Sequence, residues 1–446
     1  MKKKRVVRLH NLCIIERKIY KRRRKRKNSR IQKIITMKLP PQVHTYVYFL
    51  GDYLKFFLDA HFINNNDYSE NGTIIAPEEF SFKKGYDMTI RFMRQYLSTY
   101  FLGAKHVVLD FSKCKCSSIA AFTLLEVLIR QTELFKNKYN NSHQFTFLSK
   151  KVKFKFSVHD KKTNKFICSL FGVEMPQHIA DDSLYLPLEL TFGRKRLYKN
   201  NMKGAACTKV TNFLNEALKQ TGFELKREGK KHIGNLVGEV LSNCEDHCHR
   251  LTHWYIDGVA FAEREGNHEF VELNISIINI GKSMYEAFEE TKASNHEMYK
   301  LVSEKYEKHK SKFTPFTSFN KECLYTLYLL NDGISRLKYE DSSRGNGTTR
   351  FLNAFITLGG YGKENEKYNS ALNIISGKTI ITCDNVIKPI KRNNLMIVPL
   401  NKSEDINELP DKNYLSLHKE HFPGTILECT IYTNREYLNR IIKENK

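Results

Sequence analysis

The stretch Ile233–His247, IGNLVGEVLSNCEDH, decides how the rest of the chain is read. On a helix turning about 100° per residue, Glu239, Asn243, Asp246 and His247 fall within an arc of about 100°. Val237, Leu241, Cys244 and Cys248 take up the opposite side. Solvated helix faces are usually mixtures of Lys and Glu. This stripe instead stacks acid, amide and acid, oxygen acceptors suited to a hydrated Mg²⁺ and a polarised water.

Two alternating apolar segments follow, His253–Glu263 and Glu269–Ile280, divided by Glu265-Gly266-Asn267, and they read as an antiparallel pair. The second runs into Asn279-Ile280-Gly281-Lys282-Ser283 and a short helix, Met284–Glu290. Farther on, Ser343-Arg344-Gly345-Asn346-Gly347-Thr348 opens another helix, Thr349–Leu358. Glycines before a helix let backbone N–H groups approach a phosphate at the positive end of the dipole. A single pair of this kind is more often a plain turn. Phe422–Ile431, FPGTILECTI, places a Gly-Thr turn at the entry to a closing strand.

The order of these four pieces resembles the GHKL (Bergerat-fold) ATPases, which include gyrase, the large heat-shock chaperones, histidine kinases and the anti-sigma-factor serine kinases. The resemblance covers roughly residues 208–432 and implies an α/β sandwich, helices layered on a mixed, mostly antiparallel sheet, that binds ATP with Mg²⁺. It implies Glu239 as general base or water positioner and Asn243 as Mg²⁺ ligand, with Asp246 or His247 at the variable polar position one turn later. In the family's next box an Asp accepts from the adenine amino group. Here Asn279 stands in its place, Gly281 is kept, and Ser283 replaces the second glycine. An amide oxygen still accepts that hydrogen bond, less strongly than a carboxylate. The phosphate box matches Gly345, Asn346, Gly347 and Thr348, and the last box matches Gly424 and Thr425. Residues 291–343 stand where the family keeps its ATP lid, with helical patterns at Ser294–Lys310 and Ser318–Leu330. The first fits an ordinary surface insertion almost as well; the second is too apolar to stand alone in solvent.

Upstream, strands alternate with helices, the pattern of a small α/β layer structure. His106–Phe111 is an apolar run with Asp110 near its end, followed by Ser117-Ser118 and a strongly apolar helix, Ile119–Phe135. A helix at Asp87–Tyr100, strands at Gln144–Leu148, Val152–Val158 and Leu184–Leu190, and a helix at Asn164–Phe171 ending at Gly172 complete it. This order is similar to that of STAS-type domains over roughly residues 70–195. In that family a serine at the helix start receives phosphate, which makes Ser117 and Ser118 the nearest counterparts; the family's Asp-Ser-Ser/Thr-Gly is missing, and a plain N-cap is the commoner role. The expected organisation is a basic arm at 1–36, a STAS-like α/β domain at 37–195, and a GHKL domain at 196–446.

Composition bounds the rest. A chain of 446 residues is long enough for two or three domains with proper cores, and 41% hydrophobic with 27% charged residues is a globular balance. No run approaches the ~18 apolar residues of a membrane span, so no membrane span is expected. Ten cysteines without repeated spacing fit a reducing, cytoplasmic setting. Cys244, His247, Cys248, His249 and His253 have zinc-ligand chemistry, but opposite sides of one helix cannot converge on one ion. The net charge of +25 is concentrated in residues 1–36, where 16 Lys and Arg face one acid, Glu16. Such an arm fits a nucleic-acid or anionic-membrane contact, a solvated tail, or a segment ahead of a true start at Met37.

Two function classes fit these features. One is an enzyme using Mg-ATP, either a slow ATPase or a Ser/Thr protein kinase, that couples nucleotide state to a protein partner through the STAS-like part. The other is a nucleotide-gated switch without turnover, with a nucleic-acid-binding version that uses the basic arm. Oligomeric state stays open, a homodimer included.

Overall fold

A computed structural model describes residues 69–102, 106–142, 152–177, 184–193, 202–247, 253–265, 268–315, 318–331, 347–359, 368–393 and 395–444. The basic arm and the expected strand at 144–148 lie outside the described residues. In chain order the elements are β1 (Thr73–Ile75), β2 (Glu79–Phe80), α1 (Tyr86–Leu102), β3 (Val107–Asp110), β4 (Cys116–Ser117), α2 (Ile119–Ser142), β5 (Val152–Lys155) and α3 (Lys161–Phe171). Then come β6 (Leu184–Gly193), α4 (Met202–Lys219), α5 (Arg227–His247), β7 (Trp254–Glu265), β8 (His268–Ile280), α6 (Met284–Glu289), α7 (His296–Lys310) and α8 (Lys321–Tyr328). The last are α9 (Gly347–Leu358), β9 (Ala371–Asp384), β10 (Ile390–Arg392), β11 (Leu395–Ile397), β12 (Leu415–Thr433) and α10 (Arg435–Glu444). The protein is mixed α/β with mostly antiparallel strands; β2 and β4 pair in parallel, and β1, β3 and β5 form a separate three-stranded sheet.

Two compact units divide the chain. Among the described residues the smaller holds 69–74, 92–102, 106–109, 130–142 and 152–153. In it, the Tyr96 hydroxyl is hydrogen-bonded to Thr132 Oγ1 at 2.8 Å, and Ser69 N donates to Thr99 Oγ1 at 3.0 Å. The larger holds residues 75–91, 110–129 and 154–446.

The larger unit is organised on a five-stranded antiparallel sheet in the order β6-β7-β8-β12-β9. Its centre is the hairpin foreseen from period-two alternation, β7 and β8, in register from Trp254 opposite Asn279 to Glu265 opposite His268. Alternation sends Ile256, Ala260, Leu273, Ile275 and Ile277 to one face. There they share one hydrophobic core with Val210 and Leu214 of α4, Val237 and Leu241 of α5, and Phe351, Leu352 and Phe355 of α9. Each such side chain contributes about 1.5–3 kcal/mol of burial, so this face is held by apolar area.

The other face follows a different principle. Asp257, Ser276, Glu428 and Asn373 lie opposite one another across β7, β8, β12 and β9, and all four are buried. Residues expected in the STAS-like part pack here. Ala120 N, in the first turn of α2, donates to Glu428 Oε1 at 3.1 Å. On α3, Lys165 Nζ meets Glu263 Oε1 at 2.7 Å, Lys162 pairs with Glu272, and the Phe166 ring lies 5.7 Å from that of Phe261. Burial disfavours the charge on Lys162, yet Glu272 beside it holds the amine above the usual lysine range. A carboxylate at a helix N-terminus and paired buried charges hold the layer by electrostatics rather than by area.

Strand β6 belongs to the sheet, pairing with β7 from Leu184 opposite Ala262 to Gly193 opposite Trp254. The sequence-based boundary at 195 therefore falls after this sheet's edge strand. No element was expected at β9, which has no strong alternation: almost all of its residues are buried on both sides.

Candidate functional site

Three of the four motif-bearing segments meet at one end of the sheet, and most of the fourth, residues 343–348, lies outside the described residues. Opposite Asn279 on β8 stand Trp254 on β7 and Thr425 on β12, and Thr425 in turn stands opposite Ser376 on β9. By alternation this row shares the helix-covered face with Ile277 and Leu427. Trp254, Asn279 and Ser376 are buried and Thr425 is half-buried. The Ser376 and Thr425 hydroxyls are hydrogen-bonded at 2.9 Å, and Met284 N donates to Ser376 Oγ at 2.8 Å.

Two glycines make the row possible. A Cβ on Gly424 (φ 129°) would lie 1.9 Å from the Asn279 backbone oxygen. A Cβ on Gly377 (φ 59°) would lie 2.3 Å from Glu322 Oε1, which accepts from Lys378 N at 2.7 Å. Both sit where the β9–β12 register shifts, between Leu417 and Thr425, and such irregularities re-aim strand ends next to functional sites.

Helix α5 carries the polar stripe, and its apolar back is buried as the spacing requires: Val237, Leu241 and Cys244 are in the core. Glu239 and Asn243 are exposed and Asp246 is half-buried. His247 closes the helix, and its side chain lies outside the described residues. The helix is tied to the row by Glu245, which the sequence did not single out. Trp254 Nε1 donates to Glu245 Oε1 at 3.4 Å, while Lys203 Nζ on α4 holds Glu245 Oε2 at 3.3 Å and Ser242 Oγ at 2.9 Å. The last turn of α5 therefore stands at the end of the sheet that holds Asn279 and Thr425.

The remaining site residues are placed as follows. Gly281 N donates to the Pro423 oxygen at 3.0 Å, closing the two strand ends. Ser283 is the N-cap of α6: its hydroxyl accepts from Glu286 N at 3.2 Å, and its own N–H donates to Glu286 Oε2 at 2.9 Å. The hydroxyl at the position of the second glycine is thus taken up by a capping box. His421 beside Glu286 pulls that carboxyl down to about 2, against the opposing effect of burial. Gly347 and Thr348 open α9, with side chains outside the described residues, and Gly345 and Asn346 lie wholly outside them. Thr349, one residue later, is buried and donates to the Leu330 oxygen, fixing the start of α9 to the end of α8.

In the stretch compared with a lid, α7 and α8 are packed elements, while residues 332–346 lie outside the described residues. Six consecutive residues of α8, Cys323–Tyr328, are buried, and Met298, Val302 and His309 of α7 are buried too. Ser117 and Ser118 stand at the start of α2. Thr163 Oγ1 lies 2.8 Å from Ser117 Oγ, and Ser118 Oγ is buried without a hydrogen-bond partner. The α2 amide of Ala120 already serves Glu428.

As chemistry, the row offers an amide and two hydroxyls beside an indole N–H that already donates to Glu245, and the α5 stripe carries oxygen acceptors, exposed on Glu239 and Asn243 and half-buried on Asp246. Asn243 and Asp246 are the side chains that would hold a hydrated Mg²⁺, whose other ligands are water and phosphate oxygens. Ser376 and Trp254 are the two members of the row that sequence reasoning missed. The signal for Ser376 was its place before Gly377 in an apolar run; nothing local marked Trp254. No family model, curated protein or solved structure matches this chain.

Proposed function

We propose that this chain binds Mg-ATP in the manner of the GHKL ATPases and couples nucleotide state to a protein partner through its STAS-like residues. The observation that carries the reading is the pairing of Asn279 with Thr425 on adjacent strands, at the end of the sheet that α5 reaches through Glu245 and Trp254. Two motifs far apart in sequence, matched independently, stand side by side on adjacent strands, and that supports the reading. Asn243 and Asp246 would hold Mg²⁺, Glu239 would orient the attacking water or hydroxyl, and the backbone at the start of α9 would receive phosphate.

A second reading, a nucleotide-gated switch with negligible turnover, is favoured by the exposure of Glu239. A carboxylate in bulk water makes a weak base. The two readings agree on binding and differ on hydrolysis.

Thermal melting of the full chain with Mg-ATP and with ATP plus chelator tests the common part. Nucleotide near 100 times Kd adds about 2.7 kcal/mol, a rise of roughly 5–11 °C for a 150–250-residue domain. The rise is expected with Mg-ATP, weakened by chelator, and lost in Asn243→Ala and Thr425→Val. Absence of any rise in the unmodified protein overturns the reading. Phosphate release by wild type and its loss, with binding kept, in Glu239→Ala would select the enzyme.

A further inference from the structure

Four lysines on or beside α7 and α8 have a carboxylate partner: Lys300 with Glu304, Lys310 with Glu307, Lys312 with Glu408 and Lys321 with Glu289. Lys305, in the second half of α7, has neither ion pair nor hydrogen bond among the described residues. It is half-buried, and its Nζ lies 4.8 Å from the centre of the Tyr328 ring on α8.

The groups behind it supply no counter-charge. His309, one turn farther along α7, is hydrogen-bonded through Nδ1 to the Tyr328 hydroxyl, and both side chains are buried. Burial lowers the imidazole and raises the phenol, so both are neutral near neutral pH. Burial with no carboxylate to offset it pushes the Lys305 amine down to about 8. The ring face attracts an ammonium weakly and offsets only part of that cost. Near pH 8 about half of these amines have a free lone pair, against roughly one in 300 of an ordinary lysine. The side chain is still open to solvent on one side, so a small electrophile can reach it.

We propose that Lys305 is a covalent acylation site, its free amine attacking the carbonyl carbon of thioester acyl donors. A carbon–nitrogen bond forms and the carbon–sulfur bond breaks. The thiolate leaves with the electron pair and takes up the proton that the amine gives up, so the products are an amide and a thiol. That amide is neutral and lies against Tyr328 without the cost of burying a charge, so the folded protein favours it. No residue of the nucleotide reading takes part, and the two stand or fall separately.

The full chain is incubated with a small acetyl thioester, S-acetyl-N-acetylcysteamine, between about pH 6.5 and 9, and acetylation is followed residue by residue by mass spectrometry. Lys305 is expected to react about tenfold faster than solvent-exposed Lys308 at about pH 7.5, with a rate that levels off above about pH 8. In denaturant the difference should vanish. Leu301 is 51% exposed, so Leu301→Glu sets a carboxylate four residues ahead of Lys305 without disturbing the core. That variant is expected to slow Lys305 about twofold or more and to leave Lys308 unchanged. Equal rates at the two lysines of the folded protein, or no acetyl group on Lys305, overturn the proposal. An unslowed Lys305 in Leu301→Glu removes the missing counter-ion as the cause, and the proposal with it.

Discussion

The two faces of the five-stranded sheet are built on opposite principles. One presents Ile256, Leu273, Ile275, Ile277 and Leu427 to α4, α5 and α9 and is held by apolar area. The other buries Asp257, Glu272 and Glu428 and receives α2 and α3 through Ala120, Lys162 and Lys165. Area is forgiving: a helix on an oily face can shift and keep most of its energy. Buried charge is not, because a displaced partner leaves an uncompensated ion. The difference teaches that the second layer has one seating. Strand β12 links the two sides, with Thr425 in the row on one face and Glu428 under α2 on the other. The two positions are three residues apart on that strand.

The comparison can be broken first at the point where both faces meet. Gly424→Ala would drive a Cβ into the Asn279 backbone at a φ that L-residues avoid, and is expected to cost about 3 kcal/mol or more in chemical denaturation. An unchanged midpoint would mean the strand ends have room to part. Next comes the ion pair. Lys162→Met should cost about 3 kcal/mol by leaving the buried Glu272 carboxylate with Asn274 Nδ2 but no counter-ion, and adding Glu272→Leu should recover part of it. On the oily face, Leu241→Ala should cost about 2–5 kcal/mol with no such rescue by a neighbour. Equal rescue on both faces would erase the distinction drawn here.

A smaller effect sharpens it by pH. His418 on β12 stacks on Tyr86 at 3.8 Å, and burial lowers its pKa from 6.5 to about 4. The folded state disfavours the protonated ring, so the unfolded chain binds more protons between these values. Stability is then expected to fall as pH drops from 6.5 towards about 4 and to level off below that. Replacing His418 with Phe should flatten that part of the stability–pH curve; a slope that persists would place the titration elsewhere.

Much of the architecture was legible locally. The apolar back of α5, the β7–β8 hairpin, the helix ending at Gly172 and the apolar α8 all carry their periodicity or end signals in a few residues, and the structure forms each of them. Strand β9 was not legible, because burial on both sides removes the alternation that marks a strand. Strand β6 was visible as a strand, but its partner was not: it follows the upstream α/β elements in sequence and pairs with β7. Ser283 looked like part of a ligand loop until the capping box with Glu286 accounted for its hydroxyl.

By itself the sequence determined many of the helices and strands, β9 apart, which side of α5 is apolar, and which residues carry the amide, hydroxyl and carboxylate groups of the candidate site. Those properties follow from side-chain type and spacing within one element, where period and composition suffice. Only the tertiary structure decided that Asn279, Thr425, Ser376 and Trp254 form one row, that Glu245 ties α5 to it, and that Glu428 seats α2 on the other face. These are pairings between distant segments. Their register is set by the fit of whole faces, which no local pattern encodes.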